Sequence, residues 1–399
     1  MFHSGIASVP ARGICARRPA QQLCAIMFAT CSISVIAAQN SVTLSVSLRE
    51  EYNDNFRLTA APHKSVIATT LSPAARFTYA TDTLSASGKA QINFNRYHGD
   101  SQLNGNDILL DGVLKKTFAL DQLSLLAGYV RDSTLASELA QTGIVQANRQ
   151  RTRFNLNPEW TGTISPRASW SLGYDFSNVA YENSSTTDLI DYRVNKIYSS
   201  FNYRLTERTK AFTSGGINQL KFDGQNSTTR TTFALIGIEH NVSEVWRSEI
   251  SAGIRRAKLP SSSGDSTKNG WLAQGTVERR FETGAMRVAA GRELNPTGLG
   301  QLTQTDKLSV GWSDKITPTV SYDVSAGAYR NAFISNAAGT NNDRYYRLSA
   351  HIGYALTEDW FVDSGLAYAQ VDPDVGSAAR SRSVFISARY EWDRQFAGR

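Results

Sequence analysis

The stretch Leu84-Ser85-Ala86-Ser87-Gly88-Lys89-Ala90-Gln91-Ile92-Asn93-Phe94-Asn95 decides the fold. Even positions are apolar or small and odd positions are polar, without a break. A period of two is strand periodicity, because successive side chains of a β-strand point to opposite faces. The same pattern recurs on either side. Val42, Leu44, Val46 and Leu48 alternate with Thr43, Ser45, Ser47 and Arg49. Near the end, Val384, Ile386, Ala388, Tyr390 and Trp392 alternate with Ser387, Arg389, Glu391 and Asp393, with Phe385 as the one exception. From about residue 41 onward these runs last about 10–16 residues. Soluble strands average about 5–6 residues, whereas a tilted strand needs about 9–11 residues plus overhang to cross a bilayer.

The breaks between runs are of two kinds. Tight ones fall near Asp82, Asp121, Pro166, Glu207, Glu244, Thr283, Pro318 and Glu358. Three share a pattern: Leu205-Thr206-Glu207, Val242-Ser243-Glu244 and Leu356-Thr357-Glu358. The others are longer and polar: His98–Asn106, Asp132–Asn148, Glu182–Leu189, Pro260–Lys268, Ser335–Asn342 and Asp372–Ala379. Short turns at one end and longer Gly/Asn/Ser/Asp loops at the other describe an antiparallel up-and-down transmembrane β-barrel. The expected fold is all-β, with about 18 strands (16 the alternative) over residues 39–399. A repeat near 40 residues also suits a β-propeller. A blade, however, holds four short strands, and each unit here holds two long ones.

Tryptophan placement agrees. Trp160, Trp170, Trp246, Trp312 and Trp360 lie within a few residues of a tight turn, and Trp392 lies near the C-terminus. Only Trp271 starts a run from the loop side. Indole rings favour the headgroup zone, which satisfies both the apolar ring and its N–H, so this pattern predicts an aromatic girdle at the turn side.

All three cysteines, Cys15, Cys24 and Cys31, lie in the first 38 residues. There Arg12, Arg17 and Arg18 precede an apolar run from Leu23 to Ala37 and the small-residue exit Ile36-Ala37-Ala38. Residues 1–38 therefore read as a secretory signal peptide. Acylation at Cys31 is the weaker alternative, since Phe28-Ala29-Thr30 matches the usual lead-in poorly. Of 42 basic residues, removal of those three arginines leaves 39 against 35 acidic ones, a net +4 in place of +7. Part of the positive charge is thus an export feature and not a nucleic-acid footprint. The expected location is the outer membrane of a Gram-negative cell. An even strand number puts both termini on the short-turn side, the periplasm.

Catalytic material is missing. The mature chain has four histidines, His63, His98, His240 and His351, none paired at metal spacing, and no cysteine. There is no GxSxG or GxxxxGK[ST] motif. His240 and Ser243 are the nearest approach to a barrel-wall hydrolase pair, and an interface or lumen role suits them better. Arg292-Glu293 and Asp343-Arg344 read as solvated rim charges of little energetic weight. The expectation is a non-enzyme with no metal or cofactor. An energy-coupled receptor is excluded because about 22 strands and a plug do not fit in 399 − 38 = 361 residues.

If apolar residues face lipid, the opposite register faces the lumen. Its basic members include Lys115, Arg151, Arg204 and Lys307, and the candidate lumen-lining cations are Arg49, Lys89, Arg153, Lys196, Arg247, Arg255, Arg280, Arg347 and Arg389, interspersed with acids such as Glu51, Asp111, Asp175, Glu249, Asp323 and Asp363. These charges either cross-pair to brace a wide, wet interior or include an arginine ladder for an anionic solute. The longest loop, residues 132–148, is a candidate inward constriction or an external loop.

The segment Arg49-Glu50-Glu51-Tyr52-Asn53-Asp54-Asn55-Phe56-Arg57-Leu58, followed by Ser72-Pro73-Ala74-Ala75-Arg76-Phe77, resembles the first-strand signature of the β-barrel porin family linked to exopolysaccharide operons (EpsL-like proteins). Tyr52, Asn53, Asp54, Asn55 and Arg57 are the matched positions. Asn-Asp-Asn also commonly shapes a turn, which is the structural alternative for them. The resemblance implies a non-enzymatic outer-membrane channel supporting exopolysaccharide secretion. Its partners would be outer-membrane lipid, the polysaccharide and periplasmic export proteins. The alternatives are a docking barrel of a secretion complex and a general small-solute porin.

Overall fold

The computed structural model describes residues 39–140, 143–144, 147–182, 189–224, 228–260, 266–334 and 342–397; the expected signal segment, residues 1–38, lies outside the described residues. The first nine strands are β1 (Gln39–Asn53), β2 (Val66–Ala80), β3 (Leu84–His98), β4 (Gly105–Thr117), β5 (Asp121–Ser133), β6 (Gln150–Ser165), β7 (Ala168–Tyr181), β8 (Tyr192–Arg204) and β9 (Thr209–Phe222). The second nine are β10 (Thr228–Asn241), β11 (Trp246–Leu259), β12 (Ser266–Arg280), β13 (Ala285–Pro296), β14 (Leu302–Lys315), β15 (Val320–Phe333), β16 (Asn342–Ala355), β17 (Trp360–Asp372) and β18 (Ala379–Ala397). Each pairs antiparallel with its neighbours in sequence. β1 also pairs with β18, from Gln39 opposite Ala397 to Asn53 opposite Ser383, and the sheet closes. Closure leaves no open edge, and so a sheet can span hydrocarbon without orphaned backbone groups.

The two faces separate as the alternation requires. Along β11, Ile250, Ala252, Ile254, Arg256 and Lys258 are exposed, while Ser251, Arg255, Ala257 and Leu259 between them are buried. The exposed face carries Ile236, Ile254 and Leu366 at 70%, 71% and 61% exposure, with many other Leu, Ile, Val and Phe side chains. In water that belt would be an aggregation surface. In lipid, each such side chain gains about 1.5–3 kcal/mol.

The tight connections are short: 81–83, 118–120, 166–167, 205–208, 242–245, 281–284, 316–319 and 356–359. Hydroxyls close several of them. Thr357 Oγ1 accepts from the N–H of Trp360 at 3.1 Å, Thr317 Oγ1 from Val320 at 3.0 Å, Thr81 Oγ1 from Leu84 at 3.0 Å and Thr206 Oγ1 from Arg208 at 3.2 Å. This is the chemistry behind the recurring Thr-Glu pattern. Asp121 opens β5 and is not part of its turn. Tryptophans line this turn rim on the outward face: Trp160 stacks edge-on to Trp170 at 5.0 Å, Trp312 meets Tyr322 at 5.5 Å and Trp360 meets Tyr390 at 5.0 Å. Gln39 and the end of β18 also lie at this rim.

Two local departures have physical causes. Phe385, the exception to alternation in the last run, is buried on the lumen side. The Arg49 guanidinium lies 3.6 Å from its ring centre, and His351 meets its edge at 5.2 Å. It follows the strand period and swaps only its polarity. The second departure is the β12–β13 seam. The two strands pair only over Ala273–Arg280 and Ala285–Arg292, so their loop-side ends diverge.

Candidate functional site

The loop rim is built differently from the turn rim. There the connection between β5 and β6 turns inward and crosses the mouth. Its neck is closed by Thr134, which is fully buried: its N–H donates to Arg149 O at 2.9 Å, and its Oγ1 accepts from Arg149 N–H at 3.0 Å and donates to Ala147 O. One turn of π-helix follows at Leu135–Leu139, with Leu135, Ser137, Glu138 and Leu139 buried. The hydrophobic effect accounts for this inward fold, since Leu135 and Leu139 bury themselves against an apolar surface at this rim.

That surface is a cluster of Leu58, Val66, Leu103, Tyr345, Val371 and Ala379, contributed by β2, β16, β17, β18 and the first two loops. A second cluster holds Val179, Tyr181, Leu189, Tyr192, Leu220, Phe222, Leu259 and Leu302, with Ile144 of the inward segment packed against it. The segment therefore bridges two apolar masses on different sides of the mouth.

Polar contacts pin it to the walls. Glu138 accepts at Oε1 from the Tyr181 hydroxyl and, at 3.5 Å, from Arg151, and at Oε2 from the Gly298 N–H at 3.4 Å. Arg151 also pairs with Asp132 at 3.2 Å. Toward the far wall, the Tyr345 hydroxyl donates to Ala140 O at 3.1 Å and Arg347 to the same oxygen at 3.4 Å. Going round the ring from β6 to β16 takes eight steps (β5, β4, β3, β2, β1, β18, β17, β16) of eighteen strands. The contact with β16 is thus nearly diametric. Gly143, at φ +74°, packs on Tyr345, where a Cβ would come within 2.8 Å of the ring. Both the backbone conformation and the close approach require glycine there.

The expected lumen cations all fall on the inward register of their strands. Most have partners. Arg49 pairs with Glu51 at 2.6 Å, Lys196 with Asp175 at 2.9 Å, Arg247 with Glu239 at 3.0 Å, Arg280 with Glu278 at 3.0 Å and Arg389 with Glu391 at 2.8 Å. Wall bracing accounts for these. Lys89, Arg153, Arg255 and Arg347 make no ion pair among the described residues. Arg153 stands opposite Val179 in register, at the height of the constriction, and its Nε is buried without a hydrogen-bond partner. Arg347 stands below Ala140 on the far wall. Arg255 lies flat over Gly270 and donates to Gln304 Oε1 at 2.7 Å, its Nε also unpartnered. Nearer the turn rim Asp323 and Asp363 lie beside His351 in one recess that Lys315 also lines.

The first-strand motif serves the loop architecture. Asn55 is buried: Nδ2 donates to Thr59 O at 2.7 Å and Arg380 O at 2.9 Å, and Oδ1 accepts from Thr59 N–H at 3.1 Å. Asn53 Oδ1 accepts from Asn55 N–H and the Ser381 hydroxyl, and Asp54 Oδ1 from Arg382 N–H. Arg57 pairs with Asp100 at 3.0 Å, and Tyr52 points outward. Together these contacts tie β1 to β18 and deliver Leu58 to the mouth.

The rim charges are not uniformly loose. Arg292 grips Asp306 with two nitrogens and stacks over Trp271 at 3.7 Å, while Glu293 points inward to Lys307 at 2.9 Å. Their cohesion comes from the ring beneath the guanidinium, which residue adjacency in the sequence does not show. Among the described residues no group of three or more His, Cys, Asp or Glu converges as for a metal. Reading the sequence missed Tyr181, Tyr345 and Glu138. Glu138 lies in a segment without strand period, and only its flanking Leu135 and Leu139 signal burial.

A closed barrel, apolar outside and charged within, defines a transmembrane β-barrel with a polar lumen and a built constriction. No family model and no curated protein matches the chain, so the resemblance of residues 49–58 to the exopolysaccharide-linked porins finds no support there. Solved structures that are similar include OpdK of Pseudomonas aeruginosa with vanillate, at 12% identity and TM-score 0.46, covering 88% of this chain and 99% of that one. Another is OccAB4 of Acinetobacter baumannii, at 9% identity and TM-score 0.48, covering 89% and 99%. A third is OccK2 (OpdF) of P. aeruginosa in complex with glucuronate, at 9% identity and TM-score 0.48, covering 89% and 98%.

Proposed function

We propose that the protein is an outer-membrane channel for small solutes, with a mouth that favours anions. The observation that carries this reading is that Glu138 and Ala140, in the connection between β5 and β6, are held at Tyr181 and Gly298 on one side of the lumen and at Tyr345 on the other. A channel for a polymer needs a wide, continuous path, and two apolar clusters bridged across the mouth oppose that. A small solute needs only a gap beside the segment. Arg153 and Arg347, neither of them in an ion pair among the described residues, flank that gap. A cation free of a protein carboxylate and partly desolvated is a site where an anion gains most.

The exopolysaccharide route is not retained. Its motif residues Asn53, Asp54, Asn55 and Arg57 are engaged in holding a loop, and Tyr52 faces away from the lumen. Periplasmic termini and short turns, with the loops outside, are part of this proposal, as is the arginine role.

Planar-bilayer recording of the refolded barrel tests it. We expect steady small conductance, a reversal potential displaced toward the anion's in a salt gradient, and loss of that displacement in Arg153→Ala/Arg347→Ala. A silent barrel, or one equally selective after both substitutions, rejects the reading. Silence would favour a docking barrel.

A further inference from the structure

The outward face at the loop rim carries a charge pattern that the channel does not use. On β8–β11, Arg193 stands directly opposite Lys221, and Arg230 directly opposite Lys258, with Arg256 one outward position below Lys258. All five are exposed, and none makes an ion pair among the described residues. Like charges placed directly opposite across antiparallel strands repel. No outward-facing acid lies on these four strands: Glu239 and Glu249 both face the lumen. Among the described residues, the loops that flank these strands hold Asp191 and Asp223, and Asp191 Oδ1 already accepts from the Tyr181 N–H. At the same height Arg330 also stands directly opposite Arg344, but there Asp306 faces Arg330, Asp372 faces Arg344 and Arg292 pairs with Asp306, so acids offset the like charges as they do not on β8–β11.

Immediately below the cations the face turns apolar. Ile197 and Ile217 share the rung of Arg256, and Ile254 follows it; they are 59%, 46% and 71% exposed. The patch therefore lies where hydrocarbon gives way to headgroups. A charge on a barrel's lipid face costs about 2–4 kcal/mol at the midplane but about 0–1 near the interface. Two doubled cationic rungs beside an acyl-facing isoleucine surface match one occupant: a lipid whose phosphate sits among the cations and whose chains lie on the isoleucines.

We infer that the outward face of β8–β11 is a binding surface for a net-anionic lipid headgroup bearing phosphomonoesters, in the leaflet that meets the loop rim. The phosphate seats between Arg193, Lys221, Arg230 and Lys258 and relieves their mutual repulsion. This does not depend on whether the lumen conducts.

The test uses the refolded full barrel in phosphatidylcholine nanodiscs containing either bis-phosphorylated lipid A or the same lipid chemically dephosphorylated. The phosphorylated lipid should raise the unfolding temperature above the dephosphorylated one, and most of that difference should vanish in Lys221→Gln/Arg230→Gln/Lys258→Gln. In plain phosphatidylcholine the triple variant should unfold no earlier than the parent, because the repulsion is gone. Equal stabilisation by both lipids overturns the inference, as does a variant that keeps the difference. Soluble inorganic phosphate giving the same rise in the parent assigns the surface to a free anion and also overturns it. Should the variant fail to fold, the comparison of the two lipids on the parent protein still decides.

Discussion

The two rims of this barrel share the same eighteen strands and solve opposite problems. At the turn rim, connections of two to four residues are closed by threonine hydroxyls, and indole rings anchor the outer face. Contacts there are local, between residues a few positions apart or on adjacent strands, and even the Tyr198 hydroxyl that donates to Glu159 crosses only the one strand between them, over Gly173. At the loop rim the connections reach up to 16 residues, and the longest of them, between β5 and β6, turns into the lumen. Their contacts join residues far apart in the chain, such as Tyr345 with Ala140 and Gly298 with Glu138. On the function proposed above, one rim fixes the barrel in the bilayer and the other determines what the lumen admits. Stability and passage are therefore separable by mutation.

The largest expected effect tests that separation. Replacing residues 135–147 by a short Gly-Ser link should raise single-channel conductance severalfold while the barrel still folds and resists heat. If conductance stays at the parental level, the segment is not the constriction. A smaller cut at the same place is Glu138→Ala. It leaves the Tyr181 hydroxyl and the Gly298 N–H without their acceptor, a loss of about 1–3 kcal/mol for a buried polar group. That loss should appear as faster proteolysis within 134–149 and as noisier current. The unfolding midpoint of the barrel should not move.

Third in size, Arg153→Ala with Arg347→Ala should abolish anion preference, read as the reversal potential in a salt gradient, with little change in conductance. Each single variant should give about half of the shift if the two walls act independently. At the other rim, Trp160→Ala removes the edge-on contact with Trp170 and should cost about 0.5–1.5 kcal/mol beyond the buried area lost. Urea unfolding from vesicles would show it, with conductance unaltered. The smallest effect is expected for Thr357→Val, which removes an acceptor of the Asp359 and Trp360 N–H groups. About 0.5–1.5 kcal/mol is the usual net value of such a bond. A conductance change in either turn-rim variant would break the separation of the rims.

What could be read in advance follows the same division. Period-two alternation, the Leu-Thr-Glu turns and the tryptophans each report a strand's own neighbours, and so strand number, the sidedness of the connections and the inward register of Arg49 through Arg389 were legible. Phe385 looked like a flaw because alternation names a face and says nothing about what stands opposite. Only tertiary structure placed Arg49 and His351 around that ring. Arg292 and Glu293 looked alike as rim charges, yet one lies outward on Trp271 and the other reaches Lys307 inside.

Residues 134–149 have no period, and their course depends on surfaces brought together by barrel closure. The sequence by itself determined a closed, lipid-facing cylinder, since each strand carries its own pattern of faces and closure only repeats one pairing rule. Which segment fills the mouth, which arginines stay outside ion pairs and which cations face lipid together were decided by tertiary structure. Those outcomes depend on distances between strands up to half a ring apart, and no local pattern in a chain encodes them.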